Sequence, residues 1–93
     1  MAYTSLSNSV EKMRNLQPFT GNSLWGQRVG EGNGEGYEVY SYSTLMARVN
    51  SKGELEYLDL RRWSNTTSKH QSRIKEAFRL FPEANGATIL NRK

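Results

Sequence analysis

The chain has no cysteine, one histidine and two prolines in 93 residues. Without cysteine there is neither a disulfide framework nor a thiolate zinc site, and a reducing compartment fits. With a single histidine, an imidazole metal centre lacks its usual partners. No apolar run approaches the ~18 residues of a membrane span, and the N-terminus lacks a signal-type apolar core, so no membrane partner is expected. The expected location is the cytoplasm, that of a host cell if the protein acts in one. Hydrophobic residues are also scarce, at 35%. Counting the eight glycines narrows the gap to the ~45–50% usual for globular chains, a benchmark that includes glycine. One small domain with a thin core is the expectation.

Charge is present and unevenly spread. Residues 1–60 hold five Lys or Arg against seven acids, and residues 61–93 hold eight against two. The C-terminal third is therefore strongly basic, a pattern that suits nucleic acid or an acidic protein partner. The plain alternative is a solvated helix face that serves solubility.

The pattern predicts an α+β fold. A short amphipathic helix over 5–17 follows from Leu6, Val10, Met13 and Leu16, with Asn8 and Glu11 at capping-box spacing and Pro18 as its stop. The segment 19–26 reads as an ordered loop with its aromatics against the sheet. Glycines 26, 30, 32, 34 and 36 suggest a flexible connector over 26–36. Their spacing is GxGxGxG before a strand pattern, which fits neither the dinucleotide fingerprint nor the ATP-type phosphate loop. Strands are expected over 37–63, with alternation in Tyr37–Tyr42 and in Leu45, Ala47 and Val49. Asn50-Ser51-Lys52-Gly53 is a hairpin turn with glycine free to take a positive φ. Leu58 and Leu60 break the alternation of Leu55 and Tyr57, which a bulge near Tyr57–Asp59 restores. A second helix over 67–81 has Thr67 or Ser68 as its cap, a buried stripe of Ile74, Ala77, Phe78 and Phe81, and Pro82 as its end. The tail 82–93 turns at Asn85-Gly86, with Ala87–Leu90 as a short edge strand. The expected sheet has about three antiparallel strands packed on the C-terminal helix, with the N-terminal helix assisting.

No convergent acid, base and nucleophile set is visible, so no enzyme and no cofactor are expected. His70 has serine neighbours, as any serine-rich helix offers, and lies four residues before Ile74 on the core side. It reads as a packed histidine bonded to a strand or to the 64–67 loop. Asn65-Thr66-Thr67 matches a glycosylation sequon, which carries no weight without a secretory route. The cluster Arg61, Arg62, Lys69 and Arg73, with Lys75 beyond, sits at a helix start that already favours anions. With Tyr40, Tyr42 and Trp63 nearby, phosphate contact plus base stacking on DNA or RNA is conceivable. Aromatics on short strands are more often core, and arginines often lie over cores. A protein partner would call for an exposed apolar patch, expected around Trp25 or Tyr40.

SYSTLMA (Ser41–Ala47) followed by WSNTTSKHQSRIKEA (Trp63–Ala77) resembles a domain of small phage-encoded proteins. Its recurring pattern is a Tyr-Ser-Tyr-x-Thr strand, a second strand, then Ser-x-Thr-Thr-Ser-x-His-Gln opening a helix. The resemblance spans residues 37–80 and implies origin rather than chemistry. It also implies that Tyr42, Thr44, Thr66, Thr67, His70 and Gln71 act as a set, with Thr66, Thr67 and His70 locking the helix start against the Tyr42–Thr44 bend. A binding pocket on the same polar set stays open. In topology, helix–three strands–helix with a basic last helix is similar to a double-stranded-RNA-binding domain, in which Lys69, Arg73 and Lys75 would cross the phosphates of the major groove. The diluted lysine cluster SKHQSRIK and the short first helix depart from that pattern. The leading expectation is a phage accessory protein that binds and modulates a host protein, as a takeover or anti-defence inhibitor. The alternative is nucleic-acid binding by the basic helix, and homo-oligomerisation is left open.

Overall fold

Two helices and six strands follow one another in the order α1 (Leu6–Arg14), β1 (Phe19–Thr20), β2 (Leu24–Gly30), β3 (Glu35–Ser41), β4 (Thr44–Val49), β5 (Leu55–Asp59), α2 (Asn65–Phe78) and β6 (Glu83–Leu90). This is a computed structural model that describes residues 6–21, 23–30, 35–61, 65–79 and 81–90, with the backbone alone for 6, 7, 35 and 65–68. The strands form one sheet in sequence order, β1 to β6. Neighbours from β1 to β5 are antiparallel, and β6 runs parallel to β5. A parallel pair cannot be closed by a hairpin and needs a crossover, which α2 supplies.

The fold is α+β with a short N-terminal and a C-terminal helix, but the sheet has six strands rather than about three. The supposed connector over 26–36 accounts for part of the difference. Its first residues lie in β2 and its last two in β3. At Gly26 a Cβ would collide with the Tyr37 hydroxyl and lie 2.7 Å from Phe19 Cε1, so two rings pack directly on the backbone there. At Gly36 a Cβ would lie 2.9 Å from the Val49 carbonyl oxygen. These glycines serve close packing, not flexibility. The loop expected over 19–26 is likewise paired, Phe19 with Gly26 and Thr20 with Trp25. The helix–three strands–helix order does not hold either, because strands precede that core and one follows α2.

Local chemistry explains the boundaries. The end of α1 is closed by the Gln17 amide donating to the Lys12 carbonyl and the Leu16 amide donating to the Met13 carbonyl. This pair of bonds needs a left-handed residue, and Leu16 takes it at φ 53°, with the Arg28 guanidinium donating to its carbonyl at 3.0 Å. The β4–β5 turn is held by the Asn50 carboxamide oxygen, which accepts from the Lys52 and Glu54 amides. Gly53 completes that turn at φ 77°. Helix α2 begins at Asn65, before the cap position expected at Thr67 or Ser68, and ends at Phe78. Gly86, at φ 83°, bends β6 midway.

Two bulges set which side chains face inward. Val39 pairs with Ala47 but Tyr40 with Leu45, so Met46 is the extra residue and turns into the core while Leu45 stays half-buried outside. Arg48 pairs with Tyr57 but Val49 with Leu55, which places the β5 bulge at Glu56 rather than within Tyr57–Asp59. Leu55 and Leu58 therefore both face the core. Both helices pack on this one face. Val10 and Met13 of α1 and Ile74, Ala77 and Phe78 of α2 join Leu24, Tyr37, Val39, Ala47 and Val49 in a single cluster. Tyr37 anchors it, its hydroxyl donating to the Gln17 carbonyl at 2.7 Å and its ring edge-on to Phe78. Burial raises this phenol far above its ordinary pKa, against the pull of Arg28. No helix among the described residues is long and apolar enough to cross a membrane.

Candidate functional site: an aromatic sheet face and a basic helical layer

With both helices on one face, the other face of the sheet has no covering layer among the described residues. Strand register orders it into two rows. Thr20, Trp25, Tyr40 and Leu45 are successive cross-strand neighbours, as are Gln27, Glu38, Arg48, Tyr57 and Thr88. Trp25 and Tyr40 stack with centroids 4.4 Å apart and planes 7° from parallel. Beside them Glu38 is buried and accepts from the Tyr40 hydroxyl at 3.0 Å and from Arg48, which also reaches Glu56 at 3.2 Å. Burial first, and Glu38 second, push the Tyr40 phenol up. Arg48 thus sits between two carboxylates, Glu38 of this row and Glu56 of the bulge.

Tyr42 lies outside the aromatic row, in the two-residue turn between β3 and β4, with its ring toward His70. It is 57% exposed, against the half-buried Trp25 and Tyr40. Its backbone is left-handed at φ 56°, a conformation that costs a non-glycine residue about 1–2 kcal/mol. Two bonds hold it there, from the Tyr42 amide to the Ser23 carbonyl at 2.7 Å and from the Trp25 indole to the Tyr42 carbonyl at 2.8 Å.

Under this turn sits His70. Its Nδ1 is 2.7 Å from Ser41 Oγ, its Nε2 is 3.3 Å from Ser23 Oγ, and its ring centroid is 6.2 Å from that of Tyr42. Burial holds the imidazole below its ordinary pKa. Ser41 is buried as well. The arrangement joins the residue before β2 to β3 and α2 at one point, and among the described residues no carboxylate bonds the imidazole. Gln71 does similar work next door, its carboxamide donating to the carbonyls of Asp59 and Arg61, both at 2.8 Å. Thr44 lies at the start of β4, half-buried. Side chains of Thr66 and Thr67 lie outside the described residues, as does Arg62.

The basic cluster expected from sequence does not assemble as written. Arg61 is turned onto the fully buried Asp59, donating from Nε and Nη2 at 3.1 and 2.9 Å, and that bonding raises its pKa. Lys69, Arg73 and Lys75 stay on the outer side of α2, with Arg73 3.4 Å from Glu76. They are joined by Arg79 and, across a groove of about 600 Å³ between the helices, by Arg14. Trp25 and Tyr40 lie on the opposite face and cannot stack bases bound to these cations. Sequence reasoning missed Ser23, Ser41, Glu38 and Arg48. Alternation with Tyr37 and Val39 marks Ser41 as inward-facing, whereas nothing local marks Ser23, 47 residues from its partner.

Among the described residues no group of His, Asp and Glu could hold a metal ion. No curated protein and no solved structure matches the chain. A family model does match, over residues 8–88, so the chain belongs to the family of unknown function DUF8033.

Proposed function

We propose that this protein is a non-enzymatic binding module that docks and modulates another protein through the uncovered aromatic end of its sheet. The partner expected of a phage accessory protein is a host protein, and the reading keeps that class. One observation carries it: an exposed tyrosine held in a left-handed backbone conformation, whose carbonyl accepts from the indole of the Trp25 that stacks on Tyr40. Backbone strain persists only where its surroundings enforce it and concentrates at functional positions. Tyrosine and tryptophan are the side chains that most often dominate protein–protein binding energy, because they bring large area with few rotors. The Ser23–His70–Ser41 group supports the same reading as the brace that fixes the turn, since both imidazole nitrogens are occupied by hydroxyls.

The test is affinity capture of tagged protein from host lysate, after nuclease treatment and at raised salt. Wild type is compared with Tyr42→Gly and Tyr40→Lys. A partner held by wild type and lost from both variants, with Tyr42→Gly melting no lower than wild type, supports the reading. Equal capture by all three proteins sinks it.

A further inference from the structure

The two helices shield the core with their inner sides and turn nearly all their charge outward. Lys12 and Arg14 on α1 and Lys69, Arg73, Lys75 and Arg79 on or just after α2 are exposed or partly exposed, against only Glu11 and Glu76. Among the described residues, five of these six cations make no ion pair, and the sixth, Arg73, is shared with Glu76 at 3.4 Å. They occupy both shoulders of α2. Arg73 and Arg14 flank the groove between the helices. Lys75 and Arg79 border the opposite hollow, beside Leu55 and Phe81. From Lys69 to Arg79 the helical rise amounts to about 15 Å, comparable with the ~12 Å width of a duplex major groove.

We infer that this helical layer binds double-stranded nucleic acid through its phosphates, independently of the sheet face. Charge complementarity sets the class of ligand: a polyanion replaces the counterions of several cations held on a rigid pair of helices. The scarcity of aromatics beside these cations among the described residues sets the strandedness. Binding of single strands relies on rings that stack on bases, and every described aromatic but Tyr42 is in the core cluster, packed against it, or on the sheet side away from these cations, while Tyr42 stands alone in the β3–β4 turn by His70. What remains is contact with backbone phosphates, which positions a duplex without reading its sequence. Glu11 and Glu76 line the groove together with Arg14 and Arg73, so phosphates are expected on the cations around it and not inside it.

The experiment is fluorescence anisotropy with the full chain against a labelled DNA duplex, an RNA duplex of the same sequence and the corresponding single strands, over a salt series. About four phosphate contacts give a doubling of salt a roughly twelvefold loss of affinity, from a slope of about 0.9 per contact. Lys69→Glu with Arg73→Glu, and separately Lys12→Glu with Arg14→Glu, should each weaken duplex binding at least tenfold and flatten the salt slope. Tyr40→Lys on the opposite face should not weaken it. Circular dichroism and melting of each variant establish that it is folded. Comparing the two duplexes separates DNA from RNA as the source of the phosphates. Tighter binding of single strands than of duplexes, a salt slope near zero, or unchanged affinity in both charge-reversed variants overturns the inference.

Discussion

Ser41 and His70 are joined by a 2.7 Å hydrogen bond between the serine hydroxyl and imidazole Nδ1, which ties β3 to α2. Because this is the only histidine in the chain, its titration can be read without interference from another imidazole. Burial lowers its pKa in the folded state, whereas in the unfolded chain it titrates near 6.5. As pH falls through about 6.5, the unfolded state takes up a proton that the folded state still refuses, and stability drops. The loss stops growing once pH is below the folded value. Wild type should therefore melt lower at about pH 5.5 than at about pH 7.5, and His70→Gln should lose most of that difference. A wild type that melts higher at the lower pH would mean that the buried imidazole prefers its charged form.

Tyr42→Gly removes the left-handed penalty, about 1–2 kcal/mol, and gives back part of it as entropy of the more flexible unfolded chain. The expected result is a melting temperature equal to wild type or a few degrees above it. Tyr42→Ala keeps the strain and should show no such gain. If glycine lowers the melting temperature by several degrees, the tyrosine ring contributes packing that outweighs its backbone strain.

Gly26→Ala forces a methyl group against the Tyr37 hydroxyl and the Phe19 ring. Overpacking of this kind costs roughly 1–3 kcal/mol, and the Tyr37 bond to the Gln17 carbonyl is the first to give way. Denaturant unfolding measures it. Gly53→Ala has open space around it and strain only from φ 77°, so its cost should be the smaller of the two.

Gln71 donates to two carbonyls at once. Gln71→Ala leaves both without that donor and should cost about 1–3 kcal/mol. Gln71→Glu is nearly the same shape but aims carboxylate oxygen at carbonyl oxygen, and should be the more destabilising near neutral pH. Thermal melts of the two variants side by side decide the point.

The sequence revealed most where the determining chemistry is local. The Asn50–Gly53 turn was readable because one carboxamide and one glycine build it within five residues. The inner stripe of α2 follows from helical spacing alone. The six-stranded extent was not readable, because Gly26 looks like a connector until Tyr37 and Phe19 are known to lie over it, and neither ring is a sequence neighbour. Each bulge displaced one inference: Met46 took the inward place expected for Leu45, and Glu56 became the extra residue before Tyr57. For the site, Lys69, Arg73 and Lys75 keep their expected outward positions, but Arg61 is diverted by Asp59, a carboxylate two residues away that composition counts only as a charge. Trp25 and Tyr40, ranked as separate candidates, meet as one stack because β2 and β3 pair in that register.

The parallel closing strand bears on how the chain folds as it is made. Strand β5 finds one neighbour at once, in β4, through a short turn, but its other edge is covered only by β6, with Leu55 beside Glu83 and Tyr57 to Asp59 beside Thr88 to Leu90, and with the Pro82 and Leu90 carbonyls accepting from Leu55 and Leu60. A ribosome must therefore deliver the whole of α2 and then β6 before that edge is covered. Until then the nascent sheet ends in an open, apolar strand carrying Leu55 and Leu58, the kind of edge on which chains aggregate or recruit a chaperone. Synthesis that pauses between residues 60 and 82 leaves the molecule at its most adhesive, and release of β6 is the step that ends the exposure.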